Sequence, residues 1–194
     1  ISILSLYLKN KHPELNLFTS GGAIFLNAGS NYSISAGTFE NNSATNGGVL
    51  YLSNGTTLNL SGGNFNTNSA TANGGVVYIP SGATANISGG LFNENTGEFG
   101  GAIYMAGTLN LSENADIRNN IFIADGLVIN QITALTYHSA SNKIPLQVNN
   151  NTEISRKLVY RNISTSIVDY YSLVGATDTG TSGNFVIELT RSGI

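Results

Sequence analysis

The chain has no cysteine, and only 10% of its 194 residues are charged. Without cysteine there is no disulfide, no thiolate nucleophile and no thiolate metal site. The charged fraction is well below the usual ~25%, and the net charge of -3 comes with no basic stripe. A nucleic-acid groove needs clustered Lys and Arg, so nucleic acid is set aside as a partner. No apolar run approaches the ~18 residues of a membrane span, so no transmembrane segment is expected. Helix-length 3.6-residue patterning is also missing. Disorder is not the explanation, because 41% of residues are hydrophobic and Leu, Ile and Val recur in short runs.

What the chain does have is repetition. Four times it writes Gly-Gly, two small or aliphatic residues, an aromatic and an aliphatic. The copies are Gly21–Leu26, Gly47–Leu52, Gly74–Ile79 and Gly100–Met105, with aromatics spaced 26, 27 and 26 residues apart. A fixed period in the twenties is the signature of a solenoid whose repeats stack as coils. Each copy divides into short strand candidates between Gly, Asn and Ser turns; in the second these are Val49–Leu52, Thr57–Leu60 and Asn64–Thr67. The expected fold is therefore all-β: a right-handed parallel β-helix with three short strands per coil. Residues 1–130 would form it, with long coils starting near 21, 47, 74 and 100. Shorter coils are expected near 1–20 and 118–130. Residues 131–194 are strand-rich, at Val128–Ile132, Ile144–Val148, Lys157–Arg161, Tyr170–Val174 and Asn184–Leu189. They read as irregular closing coils or a β cap covering the open strand edges. Segments before Gly-Gly, such as Ser69–Asn73 and Thr96–Phe99, read as insertion loops.

Comparing coils column by column assigns the faces. The columns Ile24, Leu50, Val77, Ile103 and Leu26, Leu52, Ile79, Met105 are aliphatic and should face the lumen. The column between them is aromatic and should point outward. With two flanking short coils it reads Tyr7, Phe25, Tyr51, Tyr78, Tyr104 and Phe122. In the next strand Asn59, Asn86 and Asn110 should stack outward. Phe39, Phe65 and Phe92 should point inward, each followed three residues later by Asn42, Asn68 or Asn95, with Ile117 and Asn120 extending the series. Stacked asparagines can pass amide hydrogen bonds from coil to coil, a structural role. The aromatic column is the candidate binding strip, since contiguous exposed aromatics mark interaction surfaces. Mutual packing of like aromatics is the competing account.

Catalytic and metal chemistry find little support. Glu40, Glu94, Glu98, Glu113, Asp116 and Asp125 are scattered along the array, whereas glycoside hydrolysis needs two close carboxylates. Asp116 and Arg118 lie two apart and read as a local ion pair. His12 and His138 read as loop histidines with no third ligand nearby. Eight Asn-x-Ser/Thr sequons fall at Asn31, Asn41, Asn54, Asn59, Asn86, Asn110, Asn150 and Asn162, a number in keeping with 27 asparagines. Ile1–Leu8 is too short, and lacks the basic lead, to be a whole signal peptide. No enzyme activity, cofactor or metal is expected.

The pairing of Gly-Gly-Ala-Ile with Phe-x-x-Asn resembles the repeats of the chlamydial polymorphic membrane proteins. Gly21–Ile24 and Gly100–Ile103 match the first motif in full, and Gly47–Leu50 and Gly74–Val77 carry Val for Ala. Phe39–Asn42, Phe65–Asn68 and Phe92–Asn95 match the second. The resemblance covers roughly residues 21–120. It implies a secreted or surface-displayed passenger used in adhesion, and carries over no catalytic residues. Partners would then be a host-cell or matrix protein, a glycan, or another copy of the chain. Two alternatives stand beside adhesion: an extracellular filament or coat subunit joined end to end, and a polysaccharide lyase or hydrolase of β-helical fold.

Overall fold

Alternation sets the two faces of every strand. In Leu50–Leu52 and Val77–Ile79 the outer residues are fully buried and the tyrosine between them is not. The computed structural model describes residues 19–138 and 142–148. It also gives the backbone alone of Ser2–Ile3, Tyr7–Lys9, Val159–Arg161, Tyr171–Leu173 and Thr190–Arg191, and only the backbone for 131–134. All its strand pairings are parallel, in a β-solenoid of about 5 turns.

Three sheets run along the axis, and like residues face like residues. An aromatic sheet stacks Ile24–Leu26, Leu50–Leu52, Val77–Ile79, Ile103–Met105, Ile121–Ile123, Ile144–Val148 and Tyr171–Leu173. An asparagine sheet stacks Ser2–Ile3, Asn31–Ile34, Thr57–Leu60, Thr84–Ile87, Thr108–Glu113, Ile129–Leu135, Val159–Arg161 and Thr190–Arg191. A phenylalanine sheet stacks Tyr7–Lys9, Thr38–Glu40, Asn64–Asn66, Leu91–Asn93 and Asp116–Ile117. One apolar core runs between them from Leu26 to Leu146. Inside it Phe39, Phe65 and Phe92 stack with centroids 4.8 Å apart, the coil spacing itself.

A coil has a fourth strand position that the sequence reading took for an insertion loop. Ser69–Asn73 pairs with Ser43–Asn46, and single bridges join Ser20 to Asn46, Ser69 to Thr96 and Asn73 to Phe99. Ser, Ala, Thr and Asn carry no apolar alternation, so the segment gave no strand signal. Neighbouring coils supply its ladder, including Asn73 Nδ2 donating to Asn46 Oδ1 at 2.7 Å.

The Gly-Gly pair turns the chain from this short sheet into the aromatic sheet, and its two glycines do different work. Gly47 has φ +63°, a conformation that side chains with a Cβ disfavour. A Cβ on Gly48 would collide with the carbonyls of Gly75 and Ser69 in the next coil. The first glycine thus permits the turn, and the second lets two coils approach.

The chain's ends differ from expectation. Tyr7 pairs with Thr38 and Leu8 with Phe39, so this segment lies in the phenylalanine sheet and not in the aromatic column. The alternation around Tyr7 fits either sheet, but no Gly-Gly precedes it to make the turn into the aromatic one. The strand after Met105 does follow a short coil: Ile103, Tyr104 and Met105 pair with Ile121, Phe122 and Ile123. That coil has no short-sheet strand or Gly-Gly, and the Asn120 carbonyl accepts from Ala102 and Ile103 N–H where a Val or Ala carbonyl does so in longer coils. Beyond residue 130 the described strands add to the asparagine and aromatic sheets in parallel register. The Asn184–Leu189 strand expected from sequence lies outside the described residues.

Candidate interaction surface

The aromatic sheet projects Phe25, Tyr51, Tyr78, Tyr104 and Phe122 from five successive coils. Adjacent centroids are 5.1, 5.0, 5.1 and 5.0 Å apart, with interplanar angles of 7°, 13°, 10° and 6°. This spacing decides what the strip can offer. Both faces of Tyr51, Tyr78 and Tyr104 are covered by neighbouring rings, so a flat ligand cannot insert between them, and only the outer face of Phe25 is left without a ring among the described residues. The rings present edges and hydroxyls, and ring edges carry the positive part of the aromatic quadrupole. The strip is thus a row of phenolic donor/acceptor groups on an apolar edge.

Exposure is graded along the row. Phe25 is 50% exposed, the three tyrosines are half-buried, and Phe122 is only 2% exposed. Phe122 therefore belongs to the stack without being open to a partner. Phe99 meets it edge-on at 5.1 Å, and Gln147 takes the next place in the column. Gln147 is tied down, accepting from Gly100 N–H at 2.9 Å and donating to the Glu98 carbonyl at 3.1 Å. The open strip is Phe25 to Tyr104. Partial burial, aided by the neighbouring Tyr51 and Tyr104, raises the Tyr78 hydroxyl pKa above the ordinary tyrosine value.

The asparagine columns make two kinds of ladder. On the outer face, Asn86 donates to Asn59, Asn110 to Asn86 and Asn130 to Asn110, at 2.8, 2.6 and 2.9 Å. Asn130 and the parallel row Thr57, Thr84 and Thr108 were missed from sequence. The Thr-x-Asn spacing was the available signal for the threonines, whereas Val128 breaks it at Asn130. The second ladder is buried at the turn after the phenylalanine sheet. There Asn42 donates its N–H and Nδ2 to Asn68 Oδ1, and Asn68 does the same to Asn95 Oδ1, all at 2.9–3.0 Å. Its next member is Asn119, not Asn120: Asn95 N–H and Nδ2 reach Asn119 Oδ1 at 3.1 and 3.2 Å. The longer turns place a left-handed residue before the buried asparagine (Asn41, Thr67 and Glu94, φ 54–55°). Ile117 is separated from Asn119 by Arg118 alone, so the register moves by one.

Asp116 and Arg118 form the local ion pair expected of them. Asp116 is buried and holds Arg118 through Nη2 at 2.7 Å and Nε at 3.1 Å. Glu40 follows Lys9 in a column continued by Asn66 and Asn93, with Glu94 one residue further on. Among the described residues no three His, Asp or Glu side chains form a metal-binding group. His12 lies outside the described residues. His138 lies in the loop after Ile129–Leu135, as expected, but it is buried there, against Ile117 at the end of the phenylalanine sheet.

Parallel coils, a continuous aliphatic lumen and asparagine turn ladders define a β-solenoid repeat protein. The family model of the Chlamydia polymorphic membrane protein (Chlamydia_PMP) repeat matches residues 36–53. That segment holds Phe39–Asn42 and Gly47–Leu50, one copy of each motif. The match and the solenoid together fit a β-helix repeat protein of the polymorphic-membrane-protein type. No curated protein and no solved structure matches the chain. The repeat match suggests a cell-surface, adhesin-like protein.

Proposed function

We propose that the chain is a non-enzymatic adhesive module displayed at a cell surface, and that it contacts its partner through the strip from Phe25 to Tyr104. The observation that carries this reading is the strip itself: four stacked, outward aromatics with three hydroxyls in line, on a rigid sheet. Because the faces of the three tyrosine rings are occupied, the partner they suit is a protein surface with its own hydrogen-bonding groups, rather than a sugar stacked on a ring. Burying such amphipathic edges is what enriches tyrosine in interfaces.

Purified protein should be tested for binding to cultured mammalian cells, immobilised matrix proteins and a glycan panel. Replacing Tyr51, Tyr78 and Tyr104 together by Phe keeps the stack and removes the hydroxyls. Replacing Tyr51 and Tyr78 by Ser removes aromatic edges as well. The Phe variant should weaken binding several-fold and the Ser variant about tenfold or more, as for hot-spot tyrosines, with circular dichroism unchanged. Undiminished binding by both variants would remove the strip from the reading. Self-association end to end is the alternative partner, and concentration-dependent light scattering would reveal it.

A further inference from the structure

His138 stands where the phenylalanine sheet stops. Within that sheet, Asp116 N–H donates back to the Gly90 carbonyl and Arg118 N–H to the Phe92 carbonyl. The N–H of Ile117, between them, points to the side where another coil would lie. Among the described residues no strand pairs there, and His138 Nε2 accepts this N–H at 3.0 Å. The other ring nitrogen, Nδ1, lies 3.1 Å from the Asn142 carbonyl. Asn142 Nδ2 in turn donates to the Tyr137 carbonyl at 2.7 Å. The imidazole thus bridges the last phenylalanine-sheet strand and the segment leading into Ile144–Val148.

These two contacts fix the ring's state. An atom that accepts an N–H carries no proton, so Nε2 is bare and the proton sits on Nδ1, donated to Asn142. A second proton would have to go on Nε2, directed at the Ile117 N–H. Two donors would then face each other inside a buried site.

We propose that His138 is a pH-sensitive latch: neutral, it fastens Tyr137–His138 and, through Asn142, the start of Ile144–Val148 onto the Asp116–Ile117 strand, and protonated, it lets go. The charged groups facing it are Asp116, whose Oδ1 is 3.9 Å from Nε2, and Arg118 on the same strand. Glu113, in register with Leu135, and Lys143, beside Asn142, are the charged residues on adjoining segments. The Asn142 carbonyl, Asp116 and the Ala115 backbone favour the charged ring, whereas burial and Arg118 oppose it. Burial is the largest influence and holds the pKa of the ring below the ordinary histidine value. Asp116 is already committed to Arg118 by two short contacts, which limits what it offers the ring.

The test is amide hydrogen exchange at Ile117 between about pH 7.5 and pH 5.5, corrected for intrinsic exchange, with Leu60 as a reference amide deep in the array. Protection at Ile117 should fall below about pH 6.5, by up to tenfold per pH unit, while Leu60 stays protected. In His138→Gln the amide oxygen can still accept the Ile117 N–H but does not titrate, so protection should become independent of pH. Imidazole nitrogen NMR on the wild-type protein supplies a readout that needs no variant. It should show Nδ1 protonated at neutral pH and a titration below the ordinary histidine range. Constant Ile117 protection across the range, an equal acid loss in His138→Gln, or a ring that titrates at or above the ordinary value would each overturn the latch.

Discussion

Asn68 makes more of this fold than its size suggests. Its Oδ1 accepts from Asn42 N–H and Nδ2, and its Nδ2 donates to the Phe39 carbonyl at 2.8 Å and to Asn95 Oδ1 at 3.0 Å. The residue is 1% exposed, so water cannot replace any of these partners. Asn68→Ala deletes all four bonds, and groups left without partners in a dry site cost about 1–3 kcal/mol each. Some relaxation is available at a turn, so the loss expected is about 2–5 kcal/mol. Asn86→Ala is the matched control: it also breaks an amide ladder, but on the solvated face, where water substitutes. It should cost under about 1 kcal/mol. Urea unfolding of the two variants measures the difference, and equal costs would show that the buried ladder has no special weight. The same comparison explains why the asparagines read from sequence as structural. An amide is one of the few side chains that both accepts and donates along a stack of identical residues.

At the scale of the element, the short coil from Ile103 to Ile121 is where pattern and geometry part. Phe-x-x-Asn predicts Asn120 as the ladder residue, counting three from Ile117. The coil drops the left-handed residue that Asn41, Thr67 and Glu94 supply elsewhere, so the chain reaches the ladder one residue early, at Asn119. Asn120 serves through its backbone carbonyl, which accepts from Ala102 and Ile103 at 2.9 and 3.3 Å. Any residue other than Gly or Pro can supply that carbonyl in the same conformation. Asn119→Ala is therefore expected to lower stability by about 1–3 kcal/mol, and Asn120→Ala to stay within about 0.5 kcal/mol. Thermal denaturation separates the two, and a larger loss from Asn120 would restore the spacing rule. The fourth strand, at Ser43–Asn46 and Ser69–Asn73, was hidden for a related reason. Its residues are small and polar, and only the coil stacked beside it makes it a strand.

Across the whole molecule, stacking makes sequence columns and spatial columns the same thing, because each coil lies on the last in register. That is why the period, the aliphatic lumen and the aromatic strip from Phe25 to Tyr104 could be read without coordinates. Closure of the strip could not, since Phe99 and Gln147 reach Phe122 from different coils and follow no repeat. Tyr7 was misplaced because alternation alone does not say which sheet a strand joins, and the burial of His138 depends on an Ile117 contact across 21 residues. The stacked column also has an electrostatic consequence. The molecule already carries a net charge of -3, and three phenols stand in line about 5 Å apart. Burial first, and then the neighbouring Tyr51 and Tyr104, push the pKa of Tyr78 above its ordinary value of 10.0. Between that ordinary value and the raised one, the unfolded chain has lost the Tyr78 proton while the folded chain keeps it. The folded state then binds more protons, so stability falls as pH rises. The Tyr78 contribution is complete below about pH 10 and is lost as pH climbs through the folded value. Urea midpoints at about pH 9 and about pH 11 should therefore drop more for wild type than for Tyr78→Phe, which keeps the stack and cannot ionise. Phenolate absorbance should show a step above the ordinary tyrosine range in wild type, and that late step should vanish in the variant. Equal midpoint losses in both proteins would mean that the strip is wet enough for its hydroxyls to titrate independently.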